Sequence, residues 1–156
     1  MNCFASDSSH EGYSIYCRSY KICIENCKFN DHKRATDSKS CCIVYVETNE
    51  KIPPAINFLH FESNTGVASL ILYTLQNITM EGLTFNNITD NIPCINLDNW
   101  TVGGVLYIKN SFFSNILMST CITTTTKVKT FTTYLEGCQF INISTRKNIR
   151  GTYISG

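Results

Sequence analysis

Charge is scarce in this chain. Charged residues fill only 16% of its 156 positions and leave a net charge of +1, so nothing electrostatic recommends nucleic acid or an anionic membrane as a partner. The one basic group, Arg146, Lys147 and Arg150, is small and reads as a solvated turn. Long apolar runs are missing too. The longest, Val67 to Leu75, is broken by Ser69 and Thr74 and falls well short of the ~18 residues that suggest a membrane span. Met1 to Asp7 have neither the charged nor the apolar region of a signal peptide. The chain is therefore expected either to stay inside the cell or to be a piece of a longer one. The three histidines, His10, His32 and His60, accompany no Gly-x-Ser-x-Gly elbow, which leaves no nucleophile triad. Gly103-Gly104 leads into a strand rather than a helix, so it is no phosphate loop. No cofactor is expected.

What the chain does have is apolar residues at 43% and a polar complement drawn largely from Asn, Ser and Thr. Its length suits one domain with a real core. Nine cysteines are many for a cytosolic protein, and the odd number leaves at least one without an intramolecular partner. Asn77, Asn87, Asn99 and Asn142 each open an Asn-x-Ser/Thr sequon. With 16 Asn and 32 Ser plus Thr in the chain, about three such matches arise by chance, so the sequons argue nothing about secretion.

The informative feature is a repeat. Five eight-residue segments align without gaps, beginning at Ile24, Ile56, Met80, Ile108 and Leu135, at successive offsets of 32, 24, 28 and 27 residues. Position one is always a large aliphatic, and position six is always Phe: Phe29, Phe61, Phe85, Phe113 and Phe140. One ring per coil at ~4.8 Å lies within the range of offset aromatic stacking. Position three is Asn26, Gly82, Asn110 or Gly137, with Phe58 the exception. Gly and Asn both tolerate the left-handed conformation, and a bend there lets the residues on either side point inward. Position eight reads Asp31, Ser63, Asn87, Asn115 and Asn142. Stacked Asn at a tight turn predicts side-chain amides bonding to backbone from coil to coil. Ile88, Ile116 and Ile143 follow and turn back into the core.

A second strand accompanies the motif. Cys42-Ile43-Val44, Ala68-Ser69-Leu70, Cys94-Ile95-Asn96 and Cys121-Ile122-Thr123 align at offsets of 26, 26 and 27. Polar loops separate these strands from the motif at Asp31 to Ser40, Thr48 to Pro54 and Asp98 to Gly104. Apolar positions do not recur at three and four, which excludes a helical reading. The pattern predicts an all-β chain, a parallel β-helix of about five coils over residues 22–156. Residues 1–21 resist the register and are expected to form an irregular segment or a damaged cap coil. Gly151-Thr152-Tyr153-Ile154 resembles a strand of one further coil. Uncapped solenoid ends invite edge pairing, so the natural protein is expected to be longer or capped.

The repeat resembles those of the right-handed parallel β-helices of the pectin-lyase-like superfamily. Within it, the pattern is most similar to the polymorphic outer-membrane proteins of chlamydiae and related surface proteins of anaerobic protozoa. Their signature is a Gly-Gly-aliphatic-aliphatic step followed by Phe-x-x-Asn. Gly103-Gly104-Val105-Leu106 with Phe112 to Asn115 matches it in full, and Phe61 to Asn64 matches its second half. The resemblance covers roughly residues 22 to 145. It implies a surface-displayed, adhesive or passenger-type role and brings no catalytic residues with it.

Cys27 and Cys138 share a column four coils apart, about 19 Å at the usual rung spacing, beyond the ~7 Å that a disulfide spans. Cys94 and Cys121 fall on adjacent coils, with β-carbons slightly too far apart to bridge undistorted. Cysteine here reads as a small buried hydrophobe, with a disulfide among Cys17, Cys23, Cys41 and Cys42 left open. Those four with Cys27 and His32 form a Cys/His-rich stretch, but the spacings are loose for zinc, so no metal site is expected. The outward second column reads Glu25, Asn57, Glu81, Lys109, Glu136. Glu81 and Glu136 stand two coils apart, about 9.6 Å, within reach of an inverting carboxylate pair. Lys109 between them is also what charge pairing on a solvated sheet produces, so no catalytic residue is assigned. Glu81, Lys109 and Glu136 remain binding candidates. Tyr107, Phe112 and Trp100 are candidates to stack on sugar rings, Trp100 the foremost of them.

The reading is a non-enzymatic β-helix at the cell surface or secreted, acting in adhesion or glycan binding, with glycans or host-cell or cell-surface proteins as partners. The alternative is part of a carbohydrate-active lyase or glycosidase. A third reading is a cytoplasmic repeat protein with reduced thiols.

Overall fold

The computed structural model describes residues 4–6, 13–19, 21–33, 42–48, 53–74, 77–89, 93–100, 104–117, 120–126 and 131–144. Among them there is no helix. The strands are β1 (Phe4–Ser6), β2 (Tyr13–Arg18), β3 (Cys23–Glu25), β4 (Lys28–Asn30), β5 (Cys42–Thr48), β6 (Ala55–Asn57), β7 (His60–Glu62) and β8 (Ala68–Thr74). They continue as β9 (Ile78–Glu81), β10 (Thr84–Thr89), β11 (Ile95–Trp100), β12 (Gly104–Lys109), β13 (Phe112–Leu117), β14 (Ile122–Thr126), β15 (Phe131–Glu136) and β16 (Gln139–Ser144). Three parallel sheets result: β1-β4-β7-β10-β13-β16, then β2-β5-β8-β11-β14, then β3-β6-β9-β12-β15. Each strand pairs with the third before it and the third after it. That connectivity is a parallel β-solenoid, as the repeat predicts, of about four turns rather than five.

The motif columns are the rungs. Ile24 pairs with Ile56, Ile56 with Met80, Met80 with Ile108 and Ile108 with Leu135. Phe29, Phe61, Phe85, Phe113 and Phe140 stack with centroids 5.0, 5.0, 5.0 and 4.8 Å apart and planes within 15° of parallel. The first four rings are fully buried. All five third positions take the left-handed bend, Phe58 included at φ 55°. The half-exposed Phe58 ring lies over Gly82, where an added Cβ would collide with it, and the Asn110 side chain covers Gly137 in the same way. Glycine at these two places answers both the positive φ and the bulk of the preceding coil. In the fourth column, where its neighbours include Leu59 and Leu83, Ser111 is buried but satisfied: its hydroxyl donates to Lys109 O at 2.8 Å and accepts from Leu83 N at 3.1 Å.

Two expectations need correction. The eighth-position amides bond to side chains rather than to backbone. Asn142 Nδ2 donates to Asn115 Oδ1 at 3.1 Å, Asn87 Nδ2 to Ser63 Oγ at 3.3 Å, and Asn115 Nδ2 to the neighbouring column's Asn86 Oδ1 at 3.1 Å. Backbone groups at the turn are already used by the coil-to-coil ladder, as in Asp31 N to Glu62 O and Ser63 N to Asn86 O, both 3.0 Å. The second correction is one of register. The offset of 26 between Ala68-Ser69-Leu70 and Cys94-Ile95-Asn96 is in fact 25, because Ile95 pairs with Leu70 and Leu97 with Leu72. The predicted register would set Asn96 on Leu70 and drive it into the core, and a one-residue slip exchanges the two faces of a strand.

Within residues 1–21, β1 extends the first sheet on β4 and β2 extends the second on β5 at Ile15–Val44 and Cys17–Val46. Arg146, Lys147, Arg150, the segment from Gly151 to Ile154, Cys3 and Cys41 lie outside the described residues.

Candidate functional site

Strand alternation sends every second residue of the third sheet outward, and that outer face gathers most of the candidates. Its second-position column runs Glu25, Asn57, Glu81, Lys109, Glu136, each on its neighbour. Lys109 Nζ meets Glu136 Oε2 at 3.3 Å. Glu81 Oε1 accepts from Asn110 Nδ2 at 2.9 Å, its amide N–H donates to Asn57 Oδ1 at 3.2 Å, and Asn57 Nδ2 donates to Glu25 Oε1 at 3.0 Å. Side chains this exposed (39% for Lys109, 73% for Glu136) make pairs worth ~0–1 kcal/mol. The ladder orders a surface more than it holds the fold.

Two residues upstream in each strand lies a column the sequence reading saw only in part. Thr79 pairs with Tyr107 and Tyr107 with Tyr134. The two tyrosine rings stack at 4.9 Å and 12° with both side chains exposed. Tyr134 was missed although the signal was there: both tyrosines sit immediately before the first motif position. Phe112 is half-buried on the first sheet. Trp100 ends β11, its backbone paired with Thr126, and its side chain lies outside the described part of the structure. The structure therefore brings Glu81, Lys109 and Glu136 together with Tyr107, while the backbone of Trp100 belongs to the second sheet.

The described members of the cysteine-rich stretch differ in their surroundings. Cys27 and Cys42 are buried, Cys23 is exposed, and His32 is buried 6.5 Å from the Phe29 ring. Cys17, Cys23 and Cys27 border a cavity of about 350 Å³ at the first coil, yet among the described residues no three His, Cys, Asp or Glu side chains converge on a point suited to a metal ion. Cys94 and Cys121 are buried on adjacent coils. Burial pushes Cys121 up to about 12 and also raises Cys17, which suppresses the thiolate that nucleophiles and metal ligands require.

One further charged group sits outside on the first sheet. Glu62 Oε2 meets His60 Nε2 at 3.1 Å and Lys28 Nζ at 3.5 Å. The hydrogen bond from His60, then the charge of Lys28, holds the Glu62 carboxyl below its ordinary value of 4.5. A carboxylate depressed in the folded state stabilises it above the ordinary value, and that contribution is lost as pH falls through the folded value. The urea midpoint of wild type minus that of Glu62→Gln is therefore expected to be small above about pH 5 and to shrink as the pH falls further. A difference that does not shrink in strong acid would contradict the pairing.

Among the described residues no helix is long and apolar enough to cross a membrane. No protein-family profile, curated protein or solved structure matches this chain.

Proposed function

We propose that the chain is a non-enzymatic β-helix, at the cell surface or secreted, that binds glycans through the outer face of its third sheet. The observation that carries this reading is the exposed Tyr107–Tyr134 stack beside the Glu81, Lys109, Glu136 ladder. Aromatic rings offer apolar faces to the C–H faces of sugars, while fixed carboxylates and amides take up the hydroxyls. A solenoid suits this work, since stacking repeats builds a long regular surface without further invention. The resemblance of the repeat to pectin-lyase-like β-helices, and to chlamydial polymorphic outer-membrane proteins among them, supports a right-handed coil and a display role.

The test is incubation of the full chain with a polysaccharide panel, scoring retention and cleavage together. Retention without new reducing ends or unsaturated products is the expected result. Cleavage that Glu81→Gln abolishes would replace this reading with a carbohydrate-active enzyme. Location is tested separately by protease shaving of intact source cells: peptides of this chain should appear before lysis, and protection until lysis would refute the surface assignment.

A further inference from the structure

We infer that the binding subsite is the open face of Tyr107 above Thr79, and that it takes a non-acidic pyranose ring standing as the next rung of the tyrosine stack. This rests on the glycan-binding reading and sharpens it to one place and one class of sugar. Tyr107 has Tyr134 against one face, and no other ring meets its second face among the described residues. In that direction the column drops to exposed Thr79, and the next coil carries Ala55 at the same level. The column continues to exposed Cys23, so the surface steps down from a ring to three small residues, a shelf three rungs deep or about 14 Å. A second sugar-sized plane fits there with its face on Tyr107, just as Tyr134 lies on the other side.

The flanks of the shelf set the chemistry. Two residues along the strand, about 6.6 Å away, stands Glu81, whose Oε1 is held by Asn110 and whose Oε2 has no partner among the described residues. On the opposite flank is exposed Asn77, its Oδ1 fixed by Val105 N at 2.9 Å. Lys109, which pairs with Glu81 on the adjacent coil, is committed to Glu136 on the far side. At the Thr79 rung the shelf thus offers a carboxylate acceptor and an amide, with no uncommitted cation at that level among the described residues. Hydroxyls and ammonium groups are welcome there, and a uronate carboxylate is repelled.

Calorimetric titration of the full chain with cellohexaose, a chitosan hexamer and hexagalacturonate tests this. Binding of the first two ahead of the third is expected, and hexagalacturonate binding tightest would overturn the charge assignment. Thr79→Tyr should abolish binding, because its ring occupies the rung the sugar would take. Its thermal midpoint should not fall, since an added cross-strand aromatic pair is favourable. Should that variant misfold, Thr79→Leu fills the same floor with less bulk and must also weaken binding. Tyr107→Ala should weaken binding roughly tenfold, the upper end for one aromatic face. Undiminished binding by a folded Thr79 variant would overturn the subsite and leave the wider reading standing. Failure of the wild type to retain any member of the polysaccharide panel would sink both.

Discussion

Phe85→Ala is expected to destabilise the chain by about 3–5 kcal/mol, the range for truncating a fully buried phenylalanine. Phe85 is completely buried, with Phe61 stacked at 5.0 Å on one side and Phe113 at 5.0 Å on the other. Removing it opens a ring-sized void inside a tube whose wall cannot collapse, because the rung spacing is fixed by backbone hydrogen bonds above and below. Phe140 gives the internal comparison. It lies at the end of the described column, only partly buried and, among the described residues, with a single ring partner, Phe113 at 4.8 Å. In a nearest-neighbour solenoid a mid-column change breaks two interfaces and an end change breaks one, so Phe140→Ala should be clearly milder. Urea unfolding of both variants checks this. A loss under ~1 kcal/mol for Phe85→Ala, or equal losses for the two, would contradict the stacked column.

The columns were legible because a solenoid writes the same physical demand into the sequence once per turn. Five phenylalanines at one motif position can be seen without coordinates, and they stack as the spacing requires. The left-handed bend was legible at Asn26, Gly82, Asn110 and Gly137 but not at Phe58, which adopts φ 55° all the same. The backbone ladder of the coils on either side fixes that conformation, with Phe58 N bonded to Glu81 O at 2.8 Å, and the residue conforms. The slip between β8 and β11 was hidden for the opposite reason. Matching Cys94 to Ala68 by residue type ignored which face each residue must take, and the alternation of Ile95 and Leu97 decides the register. Of the candidate surface, the charged column followed from motif position two alone. The tyrosine partner of Tyr107 lay just outside the eight-residue window, and so did the shelf at Thr79 and Ala55 that gives the face its relief.

The other large effect is expected at Asn64. The residue that follows the eighth-position turn is Ile88, Ile116 and Ile143 in the last three coils, but His32 and Asn64 in the first two. Both polar residues are nonetheless buried, Asn64 completely. Asn64 Oδ1 accepts from His32 N at 2.9 Å, and its Nδ2 donates to Phe29 O at 3.3 Å. One side chain thus ties two backbone groups of the first motif coil to the second, on the inside of the tube where water cannot substitute. Asn64→Ala should lose about 2–4 kcal/mol, combining an orphaned buried N–H with a cavity. Asn64→Leu separates the two contributions, because it restores the volume, as isoleucine does in the later coils, but not the hydrogen bonds. It should remain about 1–3 kcal/mol below wild type, and amide exchange at His32 should quicken in both variants. A Leu variant as stable as wild type would mean that the apolar column alone holds these coils and that the two bonds contribute nothing net.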